Sequence, residues 1–228
     1  SGNANRGKYT CTDCGQKYSI SEATGEQNGT DIRLFATEYY CESCDDLGIE
    51  REKLKGYKSV QQEDLDLFKQ AREEWQENED LHSYVPSEKI HPGAITTSSS
   101  ISGNDIFQHG YNEWKDMFNE RQLLCLSKIL KEIDNMENQN AKEYLLLALT
   151  DALRMNSMLA VYQAANNQTN QIFRMNSFNS PTQPVEGNVW GGRYGTGTFQ
   201  SIWDMVVKGV EWANAPTERH IEDGETEE

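Results

Sequence analysis

Two pairs of cysteines near the start of the chain constrain its fold more than any other feature. Cys11 and Cys14 form one Cys-x-x-Cys pair, and Cys41 and Cys44 form a second after a spacer of 26 residues. Two residues between paired cysteines let both sulfurs reach one ion from a tight turn, and four thiolates complete a tetrahedral Zn²⁺ site. Such a closed site leaves no position for water or substrate, so the pattern predicts a structural zinc and not a catalytic one.

Two other uses of these cysteines stay open. An iron site of the rubredoxin type takes the same four ligands. A disulfide or redox pair needs an oxidising compartment or a thioredoxin-like βαβ context, and the surrounding sequence indicates neither. The fifth cysteine, Cys125, lies in the apolar stretch RQLLCLSKIL with no histidine near it in sequence. We interpret it as a small core residue and not as a nucleophile.

The pattern along the chain predicts an α+β protein with four parts. Residues 1–60 contain short β-prone runs broken by Gly, Asn and Asp, which is typical of small hairpins stapled as a zinc ribbon. Residues 61–105 are predicted to hold an exposed helix, from Gln61 to Asp80, and a linker. Residues 106–214 are predicted to form a helical domain with a long Asn/Gly-rich loop, and residues 215–228 a disordered acidic tail.

Apolar spacing predicts three helices in the helical domain. The first begins after an N-cap at Asn119 and runs to about Met136. The second runs from about Asn140 to Tyr162 and packs antiparallel to the first across a short loop. The third spans about Phe199 to Trp212. Residues 163–198, before the third helix, are predicted to be loop or partly disordered because they are rich in Asn, Gln, Gly and Ser.

Charge and hydropathy limit the partners and the location of the chain. The 37 acidic and 21 basic side chains give a net charge of −16, the wrong sign for a module that binds nucleic acid mainly through phosphates. The start of the chain is polar and shows no apolar signal segment. The most apolar run, Leu145 to Tyr162, contains charged residues and is predicted to be core and not a membrane span. We therefore expect a cytoplasmic location and no membrane partner, and the initial Ser1 suggests a piece of a longer protein.

Two polar stretches are candidates for ligand contacts. The glycine-rich WGGRYGTGTF (Trp190 to Phe199) precedes a predicted helix, as phosphate-binding loops do, but it lacks the Lys-Ser/Thr of a P-loop. The amides of NNQTNQ (Asn166 to Gln171) could pair with adenine edges, but no basic residues surround them, so a solvated loop is the favoured interpretation. No Ser-His-Asp set and no Asp-Pro-Pro-Tyr motif can be identified, and the four histidines are scattered.

Three stretches together resemble the adenine-specific DNA methylases that carry a zinc ribbon inside the catalytic polypeptide. They are the Cys11–Cys44 ribbon, HGYNEWKDMFNERQLLCL (His109 to Leu126) and LALTDALRMNSML (Leu147 to Leu159). The second is similar to a family tract with an aromatic-glycine pair, a Trp, and then Leu-Phe-Thr-Pro-Arg-Gln-Leu. The third is similar to a helix that ends in an Asn-Ser pair, here Asn156–Ser157. The resemblance covers roughly residues 8–160.

The resemblance implies a function for the segment as part of a larger enzyme. In that family the S-adenosylmethionine-binding glycine motif precedes the ribbon and Asp-Pro-Pro-Tyr follows the Asn-Ser helix; this chain contains neither. The implied function is a Zn²⁺-stabilised accessory or target-recognition region of an S-adenosylmethionine-dependent DNA (adenine) methyltransferase, inactive alone, with S-adenosylmethionine bound only in the full-length enzyme. The implied partners are the remainder of that polypeptide or a partner subunit, and DNA.

Candidate DNA contacts follow from this interpretation. The residues expected at a DNA interface are Arg121, Gln122, Arg154, Asn156, Arg174 and Arg193. The alternative is a zinc-ribbon module that binds proteins without direct DNA contact, which the acidic net charge favours.

Overall fold

The protein has an α+β fold, as predicted, which combines helices with small antiparallel pairs of strands. The computed structural model describes residues 8–19, 22, 32–50, 53–93, 95–96, 106–163, 165, 168–172, 178, 184–192, 195–217, 220–222 and 225–227. Each sheet in these residues has two strands that are consecutive in the sequence. Long-range order in the described part therefore depends mainly on how the helices pack.

The cysteine-bearing segment consists of two strand pairs. Its elements are β1 (Lys8–Thr10), β2 (Lys17–Ser19), β3 (Ala36–Tyr40), the short helix α1 (Glu42–Asp46) and β4 (Lys55–Ser59). In the first pair, Tyr9 lies opposite Tyr18, so both tyrosines share one face. Leu54 is the one residue described as buried in this segment. Two-stranded hairpins without a core are marginally stable in water, which is the condition under which a metal or disulfide staple matters.

The rest of the described chain is mainly helical. Its elements are α2 (Gln62–Glu77), α3 (Glu79–His82), the 3-10 helices Ile106–His109 and Trp114–Met117, α4 (Glu120–Asp134), α5 (Gln139–Leu153), β5 (Val161–Gln163), β6 (Gln168–Asn170), α6 (Phe199–Asn214), β7 (His220–Glu222) and β8 (Glu225–Glu227). Direct contacts link the cysteine-bearing segment to this part: the hydroxyl oxygens of Tyr57 and Tyr162 lie 2.5 Å apart, and the Nζ of Lys58 lies 3.0 Å from Asp64 Oδ1.

Helix α2 is the predicted helix of residues 61–80, and it packs against α4. Trp75 is buried in a cluster with Leu81, Leu123 and Leu124. The predicted linker after it also contributes to the helical part, because Ile90 is buried and its amide donates to the carbonyl of Asn112 at 2.8 Å. Residues 97–105 of that linker lie outside the described residues.

The main core lies between α4, α5 and α6. Its buried side chains are Leu126, Ile133, Ala148, Leu149, Ala152, Val189, Phe199 and Ile202. The predicted N-cap of α4 is confirmed, since the Asn119 side chain accepts a hydrogen bond from the Gln122 amide. The predicted start of α6 at Phe199 is also confirmed, and Thr198 caps it.

The second predicted helix is wrong beyond Leu153. Helix α5 ends there, and the apolar residues that follow continue into the core as a turn in which Met155, Leu159 and Ala160 are buried. The apolar run therefore indicates that the residues after Leu153 are buried, but it does not indicate how far the helix extends. Periodicity alone does not distinguish a buried helix from a buried turn.

Two segments predicted to be loop or disordered contain paired strands. Within residues 163–198, strand β6 pairs antiparallel with β5, and in the acidic tail β7 pairs with β8. Both strand pairs are short and polar, so they give no apolar alternation for a sequence pattern to reveal. Among the described residues, we find no helix with the length and apolar character needed to cross a membrane.

Candidate functional site

The first cysteine pair lies in a tight turn at the end of β1. The amide of Gly15 donates to the carbonyl of Cys11 at 3.0 Å, and the amide of Cys11 donates to the carbonyl of Gln16 at 2.9 Å. Gly15 has a φ of 72°, a left-handed conformation that glycine adopts without steric cost. The Cys-x-x-Cys-Gly sequence therefore closes a turn that leads the chain into β2.

The sulfur of Cys11 is hydrogen-bonded inside this turn. The backbone amides of Cys14 and Asp13 and the Cys14 thiol donate to it, and the Cys14 amide has the largest effect. These hydrogen bonds lower the pKa of the Cys11 thiol, although desolvation raises it to a smaller extent. Hydrogen bonds to a charged form favour that form. The thiolate is the form that binds a metal, so this turn prepares its first sulfur for a cation.

The second cysteine pair has a comparable turn at the end of β3. The amide of Cys44 donates to the sulfur of Cys41 at 3.3 Å, so in both pairs the first sulfur accepts a hydrogen bond from the amide of the second cysteine. Cys41 is also the N-cap of α1. Gly48, with a φ of 72°, follows this helix, and the amide of Cys41 donates to the carbonyl of Leu54 at 2.8 Å.

The two pairs are not gathered into one site in the described structure. Cys41 and Cys44 are joined by a disulfide, whereas Cys11 and Cys14 carry free thiols. Across the described ranges, no group of three or more His, Cys, Asp or Glu side chains is arranged to hold a metal. A disulfide offers no thiolate, so the donor set suits a four-thiolate zinc once the second pair is reduced.

A buried polar junction lies where α4 begins. Asn119 and Gln122 form a reciprocal capping box: the Asn119 side chain accepts from the Gln122 amide at 2.8 Å, and the Gln122 side chain accepts from the Asn119 amide at 3.0 Å. The Nδ2 of Asn119 also contacts Met158 Sδ at 3.5 Å, and the Met158 amide donates to the Met117 carbonyl at 2.7 Å. The stretches His109 to Leu126 and Leu147 to Leu159 therefore meet at this junction.

The Asn-Ser pair, which precedes Met158 in the chain, is buried as well. Asn156 is 1% exposed and Ser157 is fully buried. The Nδ2 of Asn156 donates to the carbonyl of Ala152 at 2.9 Å and to the carbonyl of Gly197 at 2.7 Å. Gly197 has a φ of 77°, and a Cβ built on it would lie 2.6 Å from Met155. The described part of the glycine-rich loop thus packs closely on the end of α5.

The predicted DNA contact Arg121 is held by an acidic partner. Its Nε donates to Glu186 Oε1 at 2.7 Å and its Nη2 donates to Glu186 Oε2 at 2.8 Å. Its guanidinium lies 4.9 Å above the centre of the Phe68 ring. Burial alone lowers the pKa of Arg121, but the hydrogen bonds and charge of Glu186 outweigh this effect and the pKa is raised.

The other predicted DNA contacts are paired, buried or outside the described residues. Arg154 forms an ion pair with Asp151, and its Nη1 donates to the side chain of Gln171. Hydrogen bonding by Asp151 raises the pKa of Arg154. Gln122 and Asn156 are buried, and the Nε2 of Gln122 has no hydrogen-bond partner among the described residues. Arg174, Arg193 and the first two residues of the Asn166–Gln171 stretch lie outside the described residues.

Cys125 lies against the main core. Cys125, predicted to be a core residue, is partly buried there, and burial raises the pKa of its thiol.

Glu186 is the partner of Arg121 that the sequence pattern does not predict. It lies 65 residues from Arg121 in a stretch without periodicity, so no local pattern signals the pairing.

Comparisons with protein-family models, with curated proteins and with solved structures give no match for this chain.

Proposed function

We propose that the chain is a zinc-stabilised accessory region of an S-adenosylmethionine-dependent DNA (adenine) methyltransferase, inactive when separated from the rest of that enzyme. The observation that carries this proposal is the contact of Asn119 with Met158: the Asn119 Nδ2 lies 3.5 Å from Met158 Sδ, and the Met158 amide donates to the Met117 carbonyl at 2.7 Å. These contacts join the two stretches that resemble the methylases, and the buried residues Gln122, Asn156 and Ser157 lie close to them in sequence. The resemblance therefore falls on residues that build one packed unit.

The zinc is proposed to be held by Cys11, Cys14, Cys41 and Cys44. Its support is the shared construction of the two turns, in which the sulfur of the first cysteine accepts the amide of the second. Reduction of the Cys41–Cys44 disulfide supplies the remaining thiolates, and the ion would then staple two strand pairs that have little core. Because reduced thiols persist in the cytosol, the proposal also locates the protein in the cytoplasm.

Direct contact with DNA at Arg121 or Arg154 would compete with an existing ion pair. Arg121 and Arg154 are held by Glu186 and Asp151, so a phosphate would have to displace a carboxylate from each. Described basic residues that are exposed and form no ion pair with a described residue include Lys8, Lys17 and Arg33 of the cysteine-bearing segment. Lys8 and Lys17 share one face of the β1–β2 pair, opposite the tyrosine face.

The alternative is a protein-interaction module without direct DNA contact. The ion pairing of Arg121 and Arg154, the two candidate arginines within the described residues, favours it, because a surface whose cations are already neutralised attracts phosphate weakly. In both hypotheses, the cofactor S-adenosylmethionine is bound by the remainder of the methyltransferase.

Metal analysis of the reduced full chain tests the zinc. One equivalent of zinc is expected, and replacement by Co²⁺ should give a thiolate-to-cobalt charge-transfer band of a tetrahedral site. Cys11→Ser and Cys44→Ser should each lower the intensity of that band and weaken binding of the ion, because one of the four thiolates is lost, whereas Cys125→Ser should leave both unchanged. A band of unchanged intensity after Cys44→Ser would contradict the four-cysteine assignment.

Titration with DNA and cofactor tests the remaining parts. Fluorescence anisotropy with a labelled duplex at low and moderate salt distinguishes direct DNA contact from a protein-interaction module without it. Affinity that falls with salt, and falls less steeply after Lys8→Ala/Lys17→Ala, supports direct contact through the ribbon; the slope in log salt should change by about 0.9 per lost phosphate contact. No binding at low salt supports the interaction module. Tight binding of S-adenosylmethionine in calorimetry would overturn the accessory assignment.

A further inference from the structure

The outer side of the α5–α6 pair carries an apolar groove. It is lined by Ala141, Tyr144, Trp203, Val206, Val207 and Val210, with Glu211 at its edge. A second depression lined by Asn140, Glu143, Tyr144 and Leu147 continues from it across α5. Both depressions share Tyr144, so they form one continuous surface, which we call the α5–α6 groove.

The two helices contain more apolar surface than the core covers. Helix α6 buries Phe199 and Ile202 of its 16 residues, although its sequence also carries two tryptophans and three valines. Helix α5 is apolar on all sides from Tyr144 to Leu149, and Leu147 remains 61% exposed. Helices that are apolar all round are normally covered on every side, and a contiguous exposed apolar patch marks an interaction site.

The charges around the α5–α6 groove are mostly negative. Glu143 lies on the α5 side, and Glu211 and Asp204 lie on α6; none of the three forms an ion pair with a described residue. Glu143 accepts a hydrogen bond from a neutral amide, that of Gln139, which leaves its charge in place. Lys208 is the exposed cation of α6.

The cation of α5 closest in sequence to the groove is directed elsewhere. The Nζ of Lys142 lies 2.6 Å from Asp134 Oδ1 and donates to the Asp134 carbonyl as well, so its charge is neutralised at the α4–α5 turn. The groove therefore combines an apolar floor with a net negative rim.

We propose that the α5–α6 groove is the docking site for a basic amphipathic helix of a protein partner, whose apolar ridge fills the groove and whose flanking Lys or Arg side chains pair with the rim. In helix-in-groove recognition, an incoming helix places apolar anchors at i, i+3, i+4 and i+7 into a hydrophobic groove; here α6 lines the groove with Trp203, Val206, Val207 and Val210. This inference goes beyond the proposed function and does not depend on zinc or on DNA.

Charge argues for this occupant over two others. A second copy of the chain would bring Glu143 and Glu211 against like charges, in a protein whose net charge is already −16. An anionic membrane surface would meet the same repulsion. A basic helix gains attraction from the rim and burial from the floor.

Binding of two designed peptides to the reduced full chain tests the proposal. One peptide is an 18-residue helix with a leucine stripe flanked by lysines, and its twin carries glutamate in place of every lysine. Fluorescence anisotropy of the labelled peptides should show at least tenfold tighter binding of the lysine peptide. Val207→Lys should reduce that affinity at least tenfold, whereas Leu67→Lys, at a 57%-exposed leucine of α2 outside the groove, should not.

Charge reversal on the rim separates docking from general stickiness. Glu143→Lys/Glu211→Lys should invert the preference so that the glutamate peptide binds more tightly, because both positions are exposed and the fold does not depend on them. The matched control is Glu77→Lys/Glu132→Lys, on α2 and α4, which should keep the original preference. Far-ultraviolet circular dichroism verifies that every variant is folded.

Three results would overturn the proposal. Equal affinity for both peptides, or no measurable binding of either, removes the charge argument. Self-association in sedimentation that Val207→Lys abolishes would assign the groove to a second copy of the chain. Binding to vesicles of anionic lipid that Val207→Lys abolishes would assign it to a membrane.

Discussion

The ion pair between Arg121 and Glu186 joins two segments that are distant in sequence, and its removal gives the sharpest test of the packing. Its two hydrogen bonds are 2.7 and 2.8 Å long, in the bidentate geometry that makes arginine–carboxylate pairs strong. The Arg121 side chain is 35% exposed and that of Glu186 is 14% exposed. The pair is therefore neither a free surface contact nor a fully buried one.

The replacement Glu186→Gln keeps the shape of the side chain and removes its charge. Exposed pairs contribute about 0–1 kcal/mol, whereas breaking a buried pair costs about 3–5 kcal/mol because the other charge is left uncompensated. The partial exposure of this pair places the expected loss between these limits, at about 2 kcal/mol in the free energy of unfolding. The double replacement Arg121→Met/Glu186→Gln should recover part of that loss, since it removes the stranded cation.

Urea unfolding of the reduced full chain, followed by tryptophan fluorescence, measures this cycle. The expected coupling energy is about 1–2 kcal/mol at an unchanged m-value, and Glu186→Gln should lower Tm by about 4–8 °C for a chain of this size. The control cycle is Glu50–Lys53, whose side chains are 75% and 69% exposed; its coupling should stay below about 0.5 kcal/mol. If both cycles give the same small coupling, the reasoning from exposure and bidentate geometry is refuted.

Three further predictions test other parts of the site. Asn156→Leu removes the donor that the carbonyls of Ala152 and Gly197 share, so the free energy of unfolding in urea titrations should fall by about 2–3 kcal/mol. A loss below about 1 kcal/mol would mean that these two hydrogen bonds do not stabilise the fold. Gly197→Ala should destabilise by at least about 1 kcal/mol, because its φ is 77° and its Cβ would meet a neighbour at 2.6 Å; the control Gly209→Ala, in open space within α6, should instead stabilise by about 0.5–1 kcal/mol. In the reduced, metal-free chain, Cys11 should be alkylated at lower pH than Cys125, because amide hydrogen bonds lower the pKa of the first thiol and burial raises that of the second; peptide mapping by mass spectrometry reads the order, and the reverse order contradicts the hydrogen-bonded turn.

The parts of the fold that the sequence predicts correctly are those with a local cause. The start of α4 follows from Asn119 and Gln122, three residues apart, whose side chains and amides satisfy one another. The turn at Cys11 follows from Gly15, whose positive φ is free of steric cost. In each case every participating atom lies within a few residues, so the sequence pattern contains the whole interaction.

The parts that the sequence does not predict depend on distant partners. Nothing near Arg121 indicates Glu186, and nothing near Asn156 indicates that Gly197, 41 residues later, supplies an acceptor. Both residues were expected at a DNA interface because of their side-chain chemistry. In the structure the same chemistry serves to satisfy groups in a buried environment, which is the commoner use of an amide or guanidinium with a partner in reach.

The ion pairs of the described residues bear on how such a chain could approach DNA. Among the described residues, eleven lysines and arginines each form a salt bridge with a carboxylate, and these include Arg121 and Arg154. When a paired arginine binds phosphate, it gains only the difference in interaction free energy between the phosphate and the carboxylate that it leaves. Such a residue adds little affinity unless its carboxylate is displaced at low cost. The bidentate hold of Glu186 makes that displacement unfavourable for Arg121. Contact through Lys8 and Lys17 carries no such penalty, because neither forms an ion pair with a described residue. If the proposed region touches DNA, the cysteine-bearing segment is therefore where that contact costs least.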